Sequence, residues 1–273
     1  MYLSYELKDI FSIKTLYTSF EEIHETSFDF DGERHDFWEI LIVTDGEVTV
    51  TAGSDVFLLR KGQAVLHEPM EFHRLVSTGN IPFSIIVFSF EAENMPSYSS
   101  KIFELPDIKE PARVLRNIRE SYETQGICVV NAGNGEHINH QLALKNLEAF
   151  ILKTLLTQKG VIKQTKSRTA ANYSNIINVM EEHLHESLSV ADIAHLCSMS
   201  EINLKKTFSM YAGIGVMNYF NSMKINAAIN LLKNGTSVKE TALSLGFLNQ
   251  NYFSTVFKRI TGHSPSDYKW SNH

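Results

Sequence analysis

The sequence is poor in cysteine, in long apolar runs and in net positive charge. Its 273 residues include only two cysteines, Cys128 and Cys197, too few for a disulfide framework and typical of free thiols in a reducing compartment. No apolar run reaches the ~18 residues that a membrane span needs. The opening residues, MYLSYELKDIF, lack the basic and apolar segments of a secretory signal. We therefore expect a cytoplasmic protein without membrane contact.

The net charge of −6 would disfavour nucleic acid as a partner if it were evenly spread. Residues 172–273, however, hold eight Lys or Arg and seven Asp or Glu, whereas residues 1–171 hold 17 and 24. The acidity therefore belongs to the first part of the chain. The second part is close to neutral, so one of its faces can be basic enough to contact phosphates.

Residues 12–90 have the pattern of short β-strands. Apolar and polar residues alternate in FWEILIVTDGEVTVTAGSDVFLLRKGQAVLHEP, and Asp45-Gly46, Gly53-Ser54 and Lys61-Gly62 mark turns between the runs. Strands at a spacing of roughly ten residues are typical of a small barrel or sandwich.

The hydrophobic period becomes helical after Pro106. We predict a short helix over 107–123 and an amphipathic helix over about 137–158. One face of the longer helix carries Leu144, Leu147, Ile151 and Leu155. The polar segment that follows is typical of a linker.

The pattern thus predicts a multidomain α and β protein. A β-rich domain with flanking helices would occupy residues 1–160, a linker 161–172, and an all-α domain 173–273.

Two passages of the all-α part, MSEINLKKTFSMYAGIG and GFLNQNYFSTVFKRITGHSP, are similar to each other. Before each passage a capping box, Ser189 with Asp192 or Ser237 with Glu240, starts a short helix. A tight turn and a second helix follow. The offset between matching residues is 48 before the turn and 49 after it. Two helix-turn-helix units joined by a long helix over 216–233 account for this pattern.

The polar residues of the two passages differ although the apolar ones match, which indicates that the polar faces contact something outside the protein. Asn and Gln can bind adenine edges, Lys can bind guanine or phosphate, and Ile can contact a thymine methyl. Two such helices on a stiff connector can enter successive major grooves, ~34 Å apart. For any single residue, a merely solvated helix face remains the alternative. The predicted core aromatics are Phe247, Tyr252, Phe253, Phe257, Tyr268 and Trp270.

The last hundred residues resemble the DNA-binding domain of the AraC/XylS family of bacterial transcription regulators. The most specific part is GFLNQNYFSTVFKRITGHSPSDYKW, which is very similar to the closing motif of that family. The resemblance implies base contacts from the second helix of each unit, and a position farther along the helix suits a phosphate contact. The predicted DNA-binding residues are Ile202, Lys205, Lys206, Gln250, Asn251, Ser254, Thr255 and, at phosphate, Lys258.

In this family a front β-barrel of the cupin type commonly binds a small molecule and supports dimerisation. HDFWEILIVTDG and GQAVLHEPMEFH are similar to the two cupin motifs, so the resemblance implies a cupin-like β-barrel. We predict a pocket without metal or other cofactor, suited to a hydroxylated metabolite such as a sugar stacked on Trp38. The predicted ligand-binding residues are Arg34, His35, Trp38, Glu39, His67 and His73.

Two other interpretations of the barrel remain open. Glu33 stands where a metal-binding cupin has the first His of its motif. A site from Glu33, His35, Glu39 and His73 would make the chain a metal-dependent cupin enzyme with an appended DNA-binding domain. Alternatively, these residues only stabilise loops at the barrel mouth. The sequence has no nucleophile–base constellation and no phosphate-binding glycine loop, so we favour a regulator over an enzyme.

The predicted partners are double-stranded DNA, a small-molecule effector and a second copy of the chain, and RNA polymerase is a further candidate. The apolar face of 137–158 is the candidate dimer contact; packing against the barrel of the same chain accounts for it equally well, and the two are compatible. The sequence identifies neither effector nor operator, nor whether binding activates or represses.

Overall fold

The computed structural model describes residues 11–130, 137–156 and 167–270. The chain divides into two compact units, Met1–Ala52 with Phe57–Thr165 and Gly53–Val56 with Lys166–His273. Within the described residues, none of the helices combines the length and hydropathy of a bilayer span.

The described residues up to 156 form ten strands and two helices, in agreement with the predicted β-rich domain with flanking helices. The strands are β1 (Ser12–His24), β2 (Trp38–Asp45), β3 (Glu47–Ala52), β4 (Asp55–Arg60), β5 (Gln63–His67), β6 (His73–Ser77), β7 (Phe83–Glu93), β8 (Ile102–Glu104), β9 (Glu123–Gln125) and β10 (Cys128–Val130). The helices are α1 (Glu110–Ser121) and α2 (His137–Leu156).

The strands form two antiparallel sheets. The larger has the order β8-β5-β2-β7-β1-β10-β9, and the smaller has the order β4-β3-β6. Isolated bridges join Asp29 to Val76 and Glu33 to His73, so the segment between β1 and β2 lies along β6. This segment closes one side of the space between the sheets.

Both faces of β2 are buried. Leu41 and Val43 pack in the core between the two sheets. Ile40 and Ile42, which alternate with them along the strand, pack in a second core beneath α1 and α2. Because both faces are buried, β2 has no solvated face that would reveal its orientation from the sequence.

The apolar face of α2 packs on its own unit. Leu147, Ile151 and Leu155 are buried in the core beneath the two helices, and Leu144 packs against the same core. The prediction of self-packing is thus confirmed. Most of this face is thus covered within a single chain, and the dimer contact stays a prediction.

The described residues of the second unit are helical. The helices are α3 (Arg168–Glu182), α4 (Val190–Leu196), α5 (Glu201–Ala212), α6 (Val216–Lys233), α7 (Val238–Ser244) and α8 (Gln250–Thr261), followed by a 3₁₀ helix at Asp267–Trp270. Both predicted capping boxes are present, at the starts of α4 and α7. The long predicted connector is α6.

The predicted linker overlaps the start of α3. Residues 168–172 are helical, because the Ser167 side chain caps the helix by accepting a hydrogen bond from the Ala170 amide. Ala170 and Tyr173 already belong to the buried face of α3. The polar composition of residues 161–172 therefore did not predict that the helix starts packing within this segment. Residues 161–166 of the predicted linker lie outside the described residues.

Candidate DNA-reading helices and ligand cavity

The two helix-turn-helix units have the same turn. In the first, the amides of Ser198 and Met199 donate to the carbonyls of His195 and Ala194. In the second, Gly246 and Phe247 make the corresponding bonds to Leu243 and Ala242, an offset of 48 for every atom pair. Ser198 and Gly246 also share a left-handed backbone, with φ of 54° and 69°. The repeat seen in the sequence is therefore a repeat in three dimensions.

The turns of the two helix-turn-helix units differ in length by one residue. The α5 cap is Ser200, directly after Met199, whereas the α8 cap is Asn249, two residues after Phe247. The extra residue is Leu248, whose side chain is 89% exposed. It explains why the sequence offset changes from 48 to 49 within the turn.

The second helix of each helix-turn-helix unit begins with a side-chain cap. The Ser200 hydroxyl accepts from the Asn203 amide, and the Asn249 carbonyl oxygen accepts from the amides of Asn251 and Tyr252. Phe208 and Phe257 anchor the opposite faces of α5 and α8 in the core. The helix N-termini are consequently held in place while their outer faces stay accessible.

The residues predicted to contact DNA lie on these outer faces. Ile202 is 82% exposed. Lys205, Lys206, Gln250, Asn251, Thr255 and Lys258 are exposed, and Ser254 is half-buried. Lys205 pairs with Glu201 at 3.1 Å, and the Thr255 hydroxyl donates to the Asn251 carbonyl at 3.0 Å. The donors of these two side chains are therefore engaged within their own helices.

Tyr252 is not a core residue, although its aromatic neighbours suggested that it would be. It is 57% exposed, because it occupies the position equivalent to Asn203 on the outer face, one residue before the buried Phe253. Tyr252 and Leu248 are candidate contacts that the sequence pattern alone did not reveal. The one-residue shift in the second turn is the signal that would have identified Leu248.

The first unit contains a cavity of about 460 Å³ between its two sheets. Most of its wall is apolar. The lining comes from β1, β2, β6 and β7 and from the segment between β1 and β2, and its aromatic residues are Phe20, Phe28, Phe30 and Phe37. At one end lie Glu33, His35, Glu39 and His73. Such a space, largely apolar with a few convergent polar groups, is typical of a ligand site.

Three of the predicted ligand-binding residues do not line this cavity. Trp38 packs in the core beneath the helices, because it neighbours the inward-facing Glu39 on a strand whose side chains alternate. His67 is buried on β5 behind His73, and their rings stack at 4.4 Å. Arg34 donates to the Met70 carbonyl and lies over Phe72. The Trp38 ring therefore lies outside this cavity, and Phe37 occupies the cavity wall instead.

Two imidazoles at the end of the cavity are oriented by backbone carbonyls. The Nδ1 of His35 lies 2.9 Å from the Phe37 carbonyl, and that of His73 lies 3.2 Å from the Glu71 carbonyl. The two Nε2 atoms face the Glu39 carboxylate at 3.6 and 3.4 Å, beyond ordinary hydrogen-bond length. Neither Nε2 has a hydrogen-bond partner among the described residues.

Glu33 and Ser89 complete this end of the cavity. The Glu33 carboxylate lies 3.5 Å from the His73 Nε2, and backbone hydrogen bonds in both directions join the two residues. The Ser89 hydroxyl donates to Glu39 at 2.8 Å. One potential ligand atom from each of Glu33, His35, Glu39 and His73 lies within 4.8 Å of all the others, so the group could hold a metal ion.

Neighbouring groups and burial shift the pKa values of the titratable side chains at this end of the cavity. Burial alone would raise the pKa of Glu39, but the facing imidazoles of His35, His73 and His67 lower that pKa to about 2. Burial would likewise lower the pKa of His73, yet Glu33 and Glu39 raise it above its ordinary value. The pKa of the His67 imidazole is lowered by burial and by His73. The cavity therefore presents an ionised carboxylate to its interior.

Both units match known protein families. Residues 16–143 match the AraC-like ligand binding domain, and residues 193–270 match a helix-turn-helix domain. HTH-type transcriptional regulator YfiF of Bacillus subtilis (strain 168) is 24% identical over 249 residues, 86% of this chain and 77% of that protein. HTH-type transcriptional activator RhaS of Escherichia coli O81 (strain ED1a) is 22% identical over 246 residues, 88% of each chain.

Solved structures show a weaker likeness. ToxT from Vibrio cholerae, in its P21 form, is 16% identical and covers 94% of this chain and 98% of its own, with a TM-score of 0.38. The C-terminal domain of AraT from Geobacillus stearothermophilus is 25% identical over 38% of this chain and 87% of its own, with a TM-score of 0.36. By its two domain matches, the chain belongs to the AraC/XylS family of DNA-binding transcription regulators, with a ligand-binding domain before its helix-turn-helix domain.

Proposed function

We propose that α5 and α8 read two successive stretches of major groove in one operator. The observation that carries this proposal is the repeated turn, which is followed in each helix-turn-helix unit by a capped helix with an exposed outer face. Gln250 and Asn251 suit adenine, Lys206 suits guanine or phosphate, and Ile202 suits a thymine methyl. Lys258, two turns beyond the helix start, suits phosphate.

The effector would occupy the cavity of the first unit. Its walls favour a compact molecule with an apolar or aromatic body, because hydroxyl groups facing Phe20, Phe28 and Phe30 would lose their hydrogen bonds to water. A polar group on the same molecule would meet His35, Glu39 and His73. This chemistry differs from the hydroxylated metabolite, such as a sugar, expected from the sequence.

Ligand control would operate as a shift between conformations that differ in DNA affinity. Only an effector that binds one conformation more tightly than the other can act in this way. By analogy with the name of the RhaS relative, we assign the chain the role of an activator, with RNA polymerase as a further partner. We further propose that the chain works in the cytoplasm, as a homodimer and without enzymatic activity of its own.

Fluorescence anisotropy of the full chain tests the proposal. Duplex fragments from the region upstream of its own gene and of the adjacent genes serve as probes, with shuffled duplexes of equal length as controls. We expect at least one fragment to bind ~10³-fold or more tightly than its shuffled control at physiological salt. Equal affinity for all duplexes would contradict sequence-specific regulation.

A further inference from the structure

We propose that Glu33, His35, Glu39 and His73 bind one divalent first-row transition-metal ion at the end of the cavity. The proposal goes beyond DNA recognition and assigns the first unit a resident cation. It replaces our expectation of a metal-free pocket.

The orientation of the two imidazoles is the first observation behind it. A carbonyl oxygen can only accept a hydrogen bond, so the Nδ1 atoms facing Phe37 and Glu71 must carry the protons. In the neutral ring, the Nε2 atom then carries a lone pair and no proton. Metal-bound histidines are held in this way, with one nitrogen donating to a carbonyl and the other binding the ion.

The second observation is that all the facing groups are acceptors. The lone pairs of His35 and His73 point at Glu39, whose carboxylate also only accepts, and Glu33 adds a second carboxylate. With both rings neutral and no cation between them, these atoms would repel one another in a buried site. A divalent ion offsets both carboxylate charges and satisfies both lone pairs.

The distances favour a metal ion over protonated imidazoles. A charge-assisted N–H···O bond would shorten to ~2.7–2.9 Å, whereas the three contacts measure 3.4, 3.5 and 3.6 Å. Ligands bound at ~2.0–2.2 Å around one ion lie roughly 3.0–3.6 Å apart, which matches these three contacts, while the four ligand atoms together lie within 4.8 Å of one another. Two imidazoles with carboxylates suit zinc, iron, cobalt, nickel or manganese.

The surroundings fix the donors before any ion binds. Ser89 donates to Glu39, and paired backbone hydrogen bonds hold Glu33 beside His73. The Glu33 side chain is 51% exposed, whereas those of His35, Glu39 and His73 are at most 10% exposed. Glu33 would therefore be the most weakly held of the four ligands, and the other three the dominant ones.

Titration of the untagged full chain with Co²⁺, after dialysis against EDTA, tests the site. We expect one equivalent of Co²⁺ to produce visible d–d absorption, and one equivalent of Zn²⁺ to abolish it. Glu39→Gln and His35→Ala should weaken Co²⁺ binding by about 100-fold or more, and Glu33→Gln by about 10-fold. His24→Gln is the matched control, because His24 lines the same cavity outside the cluster and its replacement should leave binding unchanged.

Urea unfolding of each apo variant shows whether the fold is intact, and the half-exposed Glu33→Gln variant keeps the test valid if a buried change prevents folding. Absence of stoichiometric Co²⁺, Zn²⁺, Fe²⁺ and Mn²⁺ binding, or full binding by Glu39→Gln, would overturn the proposal. DNA affinity measured on the same samples separates this outcome from a failure of the regulatory function.

Discussion

The Lys224 Nζ, on the helix that connects the two helix-turn-helix units, donates a 2.9 Å hydrogen bond to the carbonyl of Leu245 at the end of α7. The same ammonium donates to the carbonyl of Glu186, in the segment that leads into α4. It also lies over the rings of Phe220 and Phe247. Within the helical unit, one buried lysine thus links the first helix-turn-helix, the connecting helix α6 and the second helix-turn-helix.

Replacing Lys224 should lower the free energy of unfolding. Lys224→Met leaves the carbonyls of Glu186 and Leu245 without their donor, which should cost about 1–3 kcal/mol of unfolding free energy for each buried group left unpaired. Urea unfolding followed by circular dichroism at 222 nm measures this loss. Lys239→Met, a change on the exposed surface of α7, is the control and should cost less than about 0.5 kcal/mol.

The effect of Lys224 should also depend on pH. Burial lowers the pKa of Lys224 to about 8, so the folded state disfavours the charged form relative to the unfolded chain. Between pH 8 and the unfolded pKa of about 10.4, the unfolded chain binds more protons, and this residue's contribution to stability rises with pH. The stability difference between wild type and Lys224→Met should therefore widen from pH 7.5 to pH 9.5. A stability difference that stays constant over this pH range would contradict a lowered pKa of Lys224.

A close backbone approach at Gly246 should make the second turn intolerant of a side chain. Gly246 has φ of 69°, and a Cβ there would lie 2.6 Å from the Glu186 carbonyl carbon and 2.7 Å from the His185 carbonyl oxygen. Gly262→Ala has the same left-handed strain, with φ of 79°, but no atom within 4 Å. We expect Gly262→Ala to cost about 1–2 kcal/mol and Gly246→Ala to cost several kcal/mol more. Equal losses in chemical denaturation would show that the contact is unimportant.

Two substitutions on α8 should affect DNA binding differently. Gln250→Ala removes the amide that we propose reads a base, and it should cost ~1–3 kcal/mol on the preferred duplex with little change in the salt dependence. Lys258→Ala should weaken all duplexes alike and reduce the slope of log K against log salt by about 1. Anisotropy titrations at several salt concentrations separate the two effects.

Lys61→Ala is the control for the lost charge, because Lys61 lies in the first unit and pairs with Asp45. It should change neither affinity nor slope. If Gln250→Ala weakened preferred and shuffled duplexes equally, Gln250 would not be reading a base.

The exposed apolar residues of α2 provide a test of dimerisation. Ile138 and Leu142 lie one helical turn apart and are 79% and 58% exposed, on a helix whose other face is already packed. If this surface pairs with a second copy, Leu142→Glu should shift the chain from dimer to monomer in sedimentation velocity. Ile23→Glu, at another exposed apolar position, should leave the dimer intact. A dimer in both variants would place the contact elsewhere.

The helical half of the fold was predictable because its signals are local. Ser189 and Ser237 each reach only three residues ahead to form a capping box, and Gly213 and Gly262 end their helices with a positive φ. The burial of Lys224 was not predictable. A lysine on a helix is usually solvated, and only the meeting of three distant segments places carbonyls around this one.

The cavity was harder to predict because β2 is buried on both faces. Trp38 and Glu39 are neighbours in an almost continuous apolar run, and alternation shows that they face opposite sides without showing which side is the cavity. The sequence motifs identified His35, Glu39 and His73 correctly as cavity residues. Phe28 and Phe30 have the spacing of one strand face, but lie outside the named strands and reach the cavity only through the long-range bridges to β6.

Selection of binding sites from a random duplex library by the purified full chain tests the central claim most directly. Two reading helices on one rigid connector predict an enriched motif with two blocks of fixed sequence whose centres lie about 10 base pairs apart, because successive major grooves are one helical turn apart. Gln250→Ala should degrade only one block. A single block that is unaffected by Gln250→Ala, two blocks at variable spacing, or no enrichment at all would contradict the account.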